Sequence, residues 1–202
     1  EATITRMVGH FETLLESIVA NPEAKLAALP LLDSEEETAL IRQWNQTEID
    51  YSNEACLHQI FEQRASATPK AIAIRYGDIA ISYKELNERS NQLAHYIAQK
   101  GVAAETYVAI YLEPSPEMLI AILAIHKAGA AYVPLAPGTP LERIGMMLEE
   151  SSAPLILTEQ SLASLLPETS AELVYLDADW NSIQGESKKS VDVAVKSSQL
   201  AY

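Results

Sequence analysis

Lys127, within Lys127-Ala128-Gly129-Ala130-Ala131, is the residue whose surroundings come nearest to a phosphate-binding loop. An amine beside a flexible glycine can meet a phosphoryl group where a strand runs into a glycine-rich loop and then a helix. Here the order is reversed, because helical spacing precedes Gly129 and a β-prone run follows it. The segment reads as a helix C-cap, with Lys127 a favourable charge at the helix C-terminus rather than a catalytic amine. Neither Gly-x-Gly-x-x-Gly nor the Walker pattern occurs anywhere in the chain.

The other reactive residue types form no better constellation. Of His10, His58, His95 and His126, none has a partner at metal-ligand spacing. His58 and Glu62, four apart, read as a surface contact. Cys56 is the single cysteine, which excludes an internal disulfide and a thiolate metal cage and leaves a small, half-buried thiol. No Gly-x-Ser-x-Gly elbow is present. Asp177 and Asp179 follow a strand and suit a turn, and Glu35, Glu36 and Glu37 occupy a helix first turn. Residue chemistry therefore assigns no catalytic, cofactor-binding or metal-ligating residue.

Periodicity supplies the elements around these residues. Ile4, Met7, Val8, Phe11, Leu14, Leu15, Ile18 and Val19 form one apolar helical stripe, ended by Asn21-Pro22. Ser34 opens a second helix with Glu37 placed for a capping box, and Leu40, Ile41 and Trp44 are predicted to face inward. The polar stretch from Asn45 to Asn53 is a boundary. Beyond it, a helix from Leu57 ends at Thr68-Pro69, and the runs Ala71 to Tyr76 and Ile79 to Ser82 form a hairpin about Gly77-Asp78. Ser82 and Glu85 cap a helix that Gly101 terminates.

Thr106 to Leu112, Ala131 to Leu135, Leu155 to Thr158 and Leu173 to Leu176 read as strands. Helices starting at Pro116 and spanning Leu141 to Glu150 and Leu162 to Leu166 alternate with them. Asp177 to Ser198 is polar and reads as a loop. The pattern predicts an α/β fold, a mostly parallel sheet flanked by helices, preceded by an α-helical tail. Domain limits follow at 1–32, a linker over 33–52, and 53–202.

Lys plus Arg total 14 against 28 for Asp plus Glu, a net charge of −14 and a pI near 4.6. That balance excludes nucleic acid and an anionic membrane as main partners, since both require a basic patch. No apolar run reaches the roughly 18–20 residues of a membrane span, and no leader pattern opens the chain. The expected location is cytoplasmic. Because Glu1 and Tyr202 both lie within element patterns, the chain reads as part of a larger polypeptide.

Ile81-Ser82-Tyr83-Lys84-Glu85-Leu86-Asn87, continued by Arg89-Ser90-Asn91-Gln92-Leu93-Ala94, resembles the first core motif of adenylation domains in nonribosomal peptide synthetases. His126-Lys127-Ala128-Gly129-Ala130-Ala131-Tyr132-Val133-Pro134-Leu135 resembles the second. His58 to Gln63 is similar to the domain's opening helix, Trp44 to Tyr51 to the linker before it, and residues 1–32 to the end of a condensation domain. Pro114-Ser115, Ala136 and Thr139 depart from the family pattern.

The resemblance implies a parent that activates an amino acid with Mg-ATP as an acyl-adenylate and loads it onto a carrier phosphopantetheine. The implied partners are neighbouring assembly-line domains. The residues doing this chemistry lie in later motifs, so the resemblance carries no site residue to a numbered position, implies no cofactor bound by this chain alone, and leaves it inactive by itself. A second expectation is a truncated, non-catalytic adenylation remnant acting as a scaffold. In either case Val108, Ile110, Val133 and Ile156 are expected near an apolar sheet surface that lacks its cover.

Overall fold

A computed structural model describes residues 2–49 and 55–202, in two compact units, Glu1–Tyr51 and Ser52–Tyr202. The end of the polar boundary, residues 50–53, lies outside the described residues.

In the first unit, α1 (Ala2–Ala20) follows the predicted stripe, and α2 (Ser34–Thr38) runs on into a π-helical turn over Ala39–Gln43. Asp33, not Ser34, is the N-cap, its carboxylate accepting from the Glu35 and Glu36 amides at 2.9 and 2.7 Å. Two adjacent capping-type residues make this shift of one position invisible to pattern reading. His10 Nε2 meets Glu36 Oε2 at 2.7 Å. Ile41 and Trp44 are exposed, contrary to expectation, because the wide π-helical turn alters which residues share a face. No described residue of this unit is buried, and Ile4, Met7, Phe11 and Leu15 lie open.

The second unit begins with α3 (Leu57–Ala67) and the antiparallel hairpin of β1 (Ile72–Tyr76) and β2 (Ile79–Ser82), which turns on Gly77 at φ +56°. α4 (Tyr83–Gln99) starts where Ser82 Oγ accepts from the Glu85 amide at 3.2 Å. There follow β3 (Tyr107–Tyr111), α5 (Pro116–Lys127), β4 (Ala131–Leu135), α6 (Leu141–Ser151), β5 (Leu155–Thr158) and α7 (Gln160–Ala163). Last come β6 (Glu172–Tyr175) and the one-turn α8 (Trp180–Ile183), which interrupts the predicted loop. Pro116 sits in the first turn of α5 behind the Ser115 cap, where it has no amide to lose.

Four strands form one parallel sheet in the order β4-β3-β5-β6. The chain moves one way from β3 to β4, then reverses to place β5 on the other side of β3. That reversal puts α5 and α6 on opposite faces. On one face Val108, Ile110, Leu155 and Leu157 pack with Leu93, Ile97, Ile120 and Ala124 of α4 and α5. On the other, Ala109, Tyr111 and Ile156 pack with Ile144 and Leu148 of α6 and Leu162 of α7.

The expectation of a bare apolar sheet surface is therefore corrected. Val108, Ile110 and Ile156 are buried and Val133 is partly so. Helices already within this chain cover both faces, and each such enclosed aliphatic side chain contributes about 1.5–3 kcal/mol.

Candidate functional site

Lys127 ends α5, but its ammonium does not reach solvent. The side chain is 1% exposed, and Nζ donates to Glu62 Oε1 at 2.6 Å, Asn87 Oδ1 at 2.7 Å and Asn91 Oδ1 at 2.6 Å. An ammonium has three donors, and here three acceptors from α3 and α4 take them. Phe61 closes one side, its ring centre 5.8 Å from Nζ.

Burial pushes the Lys127 ammonium below the ordinary lysine range, and Glu62 opposes that shift. Burial would raise the Glu62 carboxyl, but hydrogen bonds from Lys127 and Ser190 and the Lys127 charge outweigh it and hold it below its usual range. The reading of Lys127 as a charge at a helix end is thus replaced by a buried polar junction. The expected surface contact between His58 and Glu62 also changes, since His58 is buried and Glu62 turns to Lys127.

Gly129 does cap α5. At φ +80° it lets the Gly129 and Ala130 amides return to the His126 and Ile125 carbonyls. A Cβ here would stand 3.1 Å from Val193 Cγ1. Gly129→Ala is expected to lose about 1–2 kcal/mol through the left-handed backbone alone. A urea midpoint unchanged from the parent chain would refute this.

Beside this cap lies a cavity of about 550 Å³ lined by Cys56, His58, His126 and residues 195–201. His126 Nε2 lies 3.2 Å from the Ala201 carbonyl, which can only accept, so Nε2 carries the proton. Among the described residues, Nδ1 is then a buried acceptor without a partner. Burial lowers the proton affinity of both rings; at His58 Glu62 opposes this, while His126 and Lys127 add to it.

Both folded-state values lie below the unfolded value of 6.5. The unfolded chain thus binds protons first as pH falls, and stability present above pH 6.5 is lost below it. Urea midpoints should fall between pH 7.5 and pH 5.5, less steeply in His126→Gln. A flat profile would contradict this.

The remaining candidates take structural partners. Asp177 accepts from the Gln160 amide at the start of α7, a contact between distant segments, while Asp179 accepts from the Tyr175 amide four residues back in the expected turn role. Cys56 is half-buried, and His95 Nε2 lies 3.0 Å from the Lys189 carbonyl. The topological switch point lies between β3 and β5, where open α/β sheets hold ligands at the strands' carboxyl ends. Glu113 and Glu117 follow β3 and Glu159 follows β5. The Glu159 carboxyl is pushed up by burial and by the Asp177 and Glu117 charges. Among the described residues, no group of three His, Cys, Asp or Glu side chains converges as metal ligands do.

A family model described as AMP-binding enzyme matches residues 61–202. This chain belongs to the AMP-binding enzyme family. It is 45% identical over 201 residues to a linear gramicidin synthase polypeptide of Brevibacillus parabrevis, covering 100% of this chain and 4% of the relative. Tyrocidine synthase 3 of the same organism is 40% identical, over 99% of this chain and 3% of the relative. The chain thus spans a small fraction of these synthetases' length. Among solved structures, the nonribosomal peptide synthetase FmoA3 in its α-methyl-L-serine-AMP-bound form matches with TM-score 0.74 and 23% identity, over 96% of this chain and 22% of that one. At that identity the likeness speaks for the fold.

Residues 61–202 are the N-terminal part of a nonribosomal peptide synthetase adenylation domain. Three of the segments that resemble the family meet at Lys127. Glu62 comes from the opening helix, Asn87 and Asn91 from the first motif and its continuation, and Lys127 from the second. The sequence carried one signal of this, Lys127 at the end of a largely apolar helix, whereas Glu62, Asn87 and Asn91 stand among other polar residues.

Proposed function

We propose that this chain contributes the first part of a domain that activates an amino acid with Mg-ATP as an acyl-adenylate, releases pyrophosphate, and passes the acyl group to a carrier phosphopantetheine. The observation that carries the reading is the junction at Lys127, where three family-like segments are joined by one ammonium. Residues 1–32 are assigned to the end of a preceding condensation domain and 33–52 to the linker. A helix stripe with no buried residue in its own unit supports that assignment. The same polypeptide's neighbouring domains are the proposed partners and the cytoplasm the proposed location. Among the described residues no helix is long and apolar enough to cross a membrane.

The residues present do not themselves fit the nucleotide. Around the switch point stand Glu113, Glu159 and Glu117, and the Arg89 cation there is taken by Glu117 at 3.2 Å, whereas a triphosphate needs free amides and cations. Phosphate binding is therefore assigned outside this chain, and no step is derived through it here. The scaffold reading has less support, because similarity at 45% identity runs through both motifs.

Amino-acid-dependent ATP–pyrophosphate exchange tests the reading. The 202-residue chain should be silent, and a complete domain containing it should exchange label with at least one amino acid. A folded complete domain silent with every proteinogenic amino acid would favour the scaffold instead.

A further inference from the structure

The geometry points to Lys127 as a positioning residue. Through Glu62, Asn91 and Ser190 it fixes the path of residues 184–201, so that the Ala201 carbonyl is brought to the free edge of β4 at the Tyr132 amide.

Residues 184–201 cross the outside of α4 and α5 as a strap that contains no regular element. Side chains of α4 hold its backbone. Gln92 Nε2 donates to the Gln184 carbonyl, Asn91 Nδ2 donates to the Lys188 carbonyl at 2.8 Å, and His95 Nε2 meets that of Lys189. Ser190 Oγ donates to Glu62 Oε1 at 2.8 Å. Val193 and Val195 then lie over Gly129, where the missing Cβ leaves them room.

Two of these fastenings are set by Lys127. Asn91 Oδ1 accepts from the ammonium, which turns the amide so that Nδ2 points to the strap. The Glu62 oxygen that takes Ser190 is the one that takes Lys127. Without the ammonium Asn91 loses its orientation and Glu62 its anchor.

The β4 edge offers the strap a single backbone donor. Backbone amides alternate sides along a strand. Ala131 donates to Thr106 on the β3 side, so Tyr132 and Pro134 face outward. Proline has no amide, and it is tolerated on such an edge for that reason. Tyr132 therefore holds the only outward N–H of β4, and the Ala201 carbonyl accepts it at 3.1 Å. The rings of Tyr132 and Tyr202, 5.9 Å apart, accompany the same alignment. The placement is independent of the adenylation reading; only its consequence rests on that reading, namely that the strap sets where the complete domain's phosphate-binding segment begins.

Hydrogen exchange of the 202-residue chain tests this without any substrate. In Lys127→Met, the Tyr132 amide should exchange at least about tenfold faster and residues 184–201 should lose protection. Ile156→Ala, which weakens the core elsewhere, should not single out Tyr132. Ser190→Ala, at an exposed position that leaves the core intact, should release the same amides by a smaller factor. Unchanged protection of Tyr132 in Ser190→Ala and Lys127→Met would overturn the proposal. So would selective release of Tyr132 by Ile156→Ala, which would mark a general loss of stability. If Lys127→Met does not fold, Ser190→Ala decides alone.

Discussion

Lys127→Met is expected to destabilise the second unit by about 3 kcal/mol or more, the range seen when one partner of a buried ion pair is removed. The ammonium has all three donors occupied by acceptors within 2.7 Å and is closed off from water. Methionine fills similar volume but donates nothing. The Asn87 and Asn91 oxygens lose their donor, at about 1–3 kcal/mol for each one left buried and unsatisfied. The Glu62 carboxylate, partly open to solvent, keeps only Ser190. Urea unfolding should show the loss as a lower midpoint with an unchanged slope. The double change Lys127→Met with Glu62→Leu should recover part of it, since no carboxylate then stands unpaired. A single-variant loss below about 1 kcal/mol would place the ammonium in water after all.

Ile156→Ala should lose about 3 kcal/mol, within the 2–5 kcal/mol typical of enclosed aliphatic truncations. Ile156 is 0% exposed at the centre of β5, and the helices α6 and α7 close over it through Ile144, Leu148 and Leu162. The same change on an uncovered sheet face would alter stability by about 0.5 kcal/mol at most. The measurement therefore separates a sheet already covered on both faces from one awaiting an external partner. A small loss would restore the open-face expectation.

Both results concern features that local sequence did not disclose, whereas much else was legible. Ser82 before Glu85, Pro116 behind Ser115, Gly77 in the hairpin and Gly129 after α5 were each readable. Each acts on backbone groups within a few residues of itself. The parallel α/β arrangement was legible as well, because alternating strand and helix periods leave few ways to bury both. Family membership was legible in motifs that lie almost wholly on these elements.

The N-cap at Asp33 and the outward turn of Ile41 and Trp44 were not readable. Neighbouring residues of equal capping ability, and a π-helical turn that alters the face, leave no trace in periodicity. The strap carried a faint sign in the alternation of Val191, Val193 and Val195, set among Asp192, Lys196 and serines that made it read as a loop.

The sequence by itself determined most of the elements and caps, the fold class and the family, because those depend on neighbours in the chain. Only the tertiary structure decided that Lys127 is buried, that Ile156 is covered, and that the strap reaches Tyr132. Glu62, Asn87 and Asn91 stand 65, 40 and 36 residues from Lys127, and Ala201 stands 75 from His126. Contacts at such separations exist only once α3, α4 and α5 have packed together. No local propensity specifies which acceptors a buried ammonium will meet.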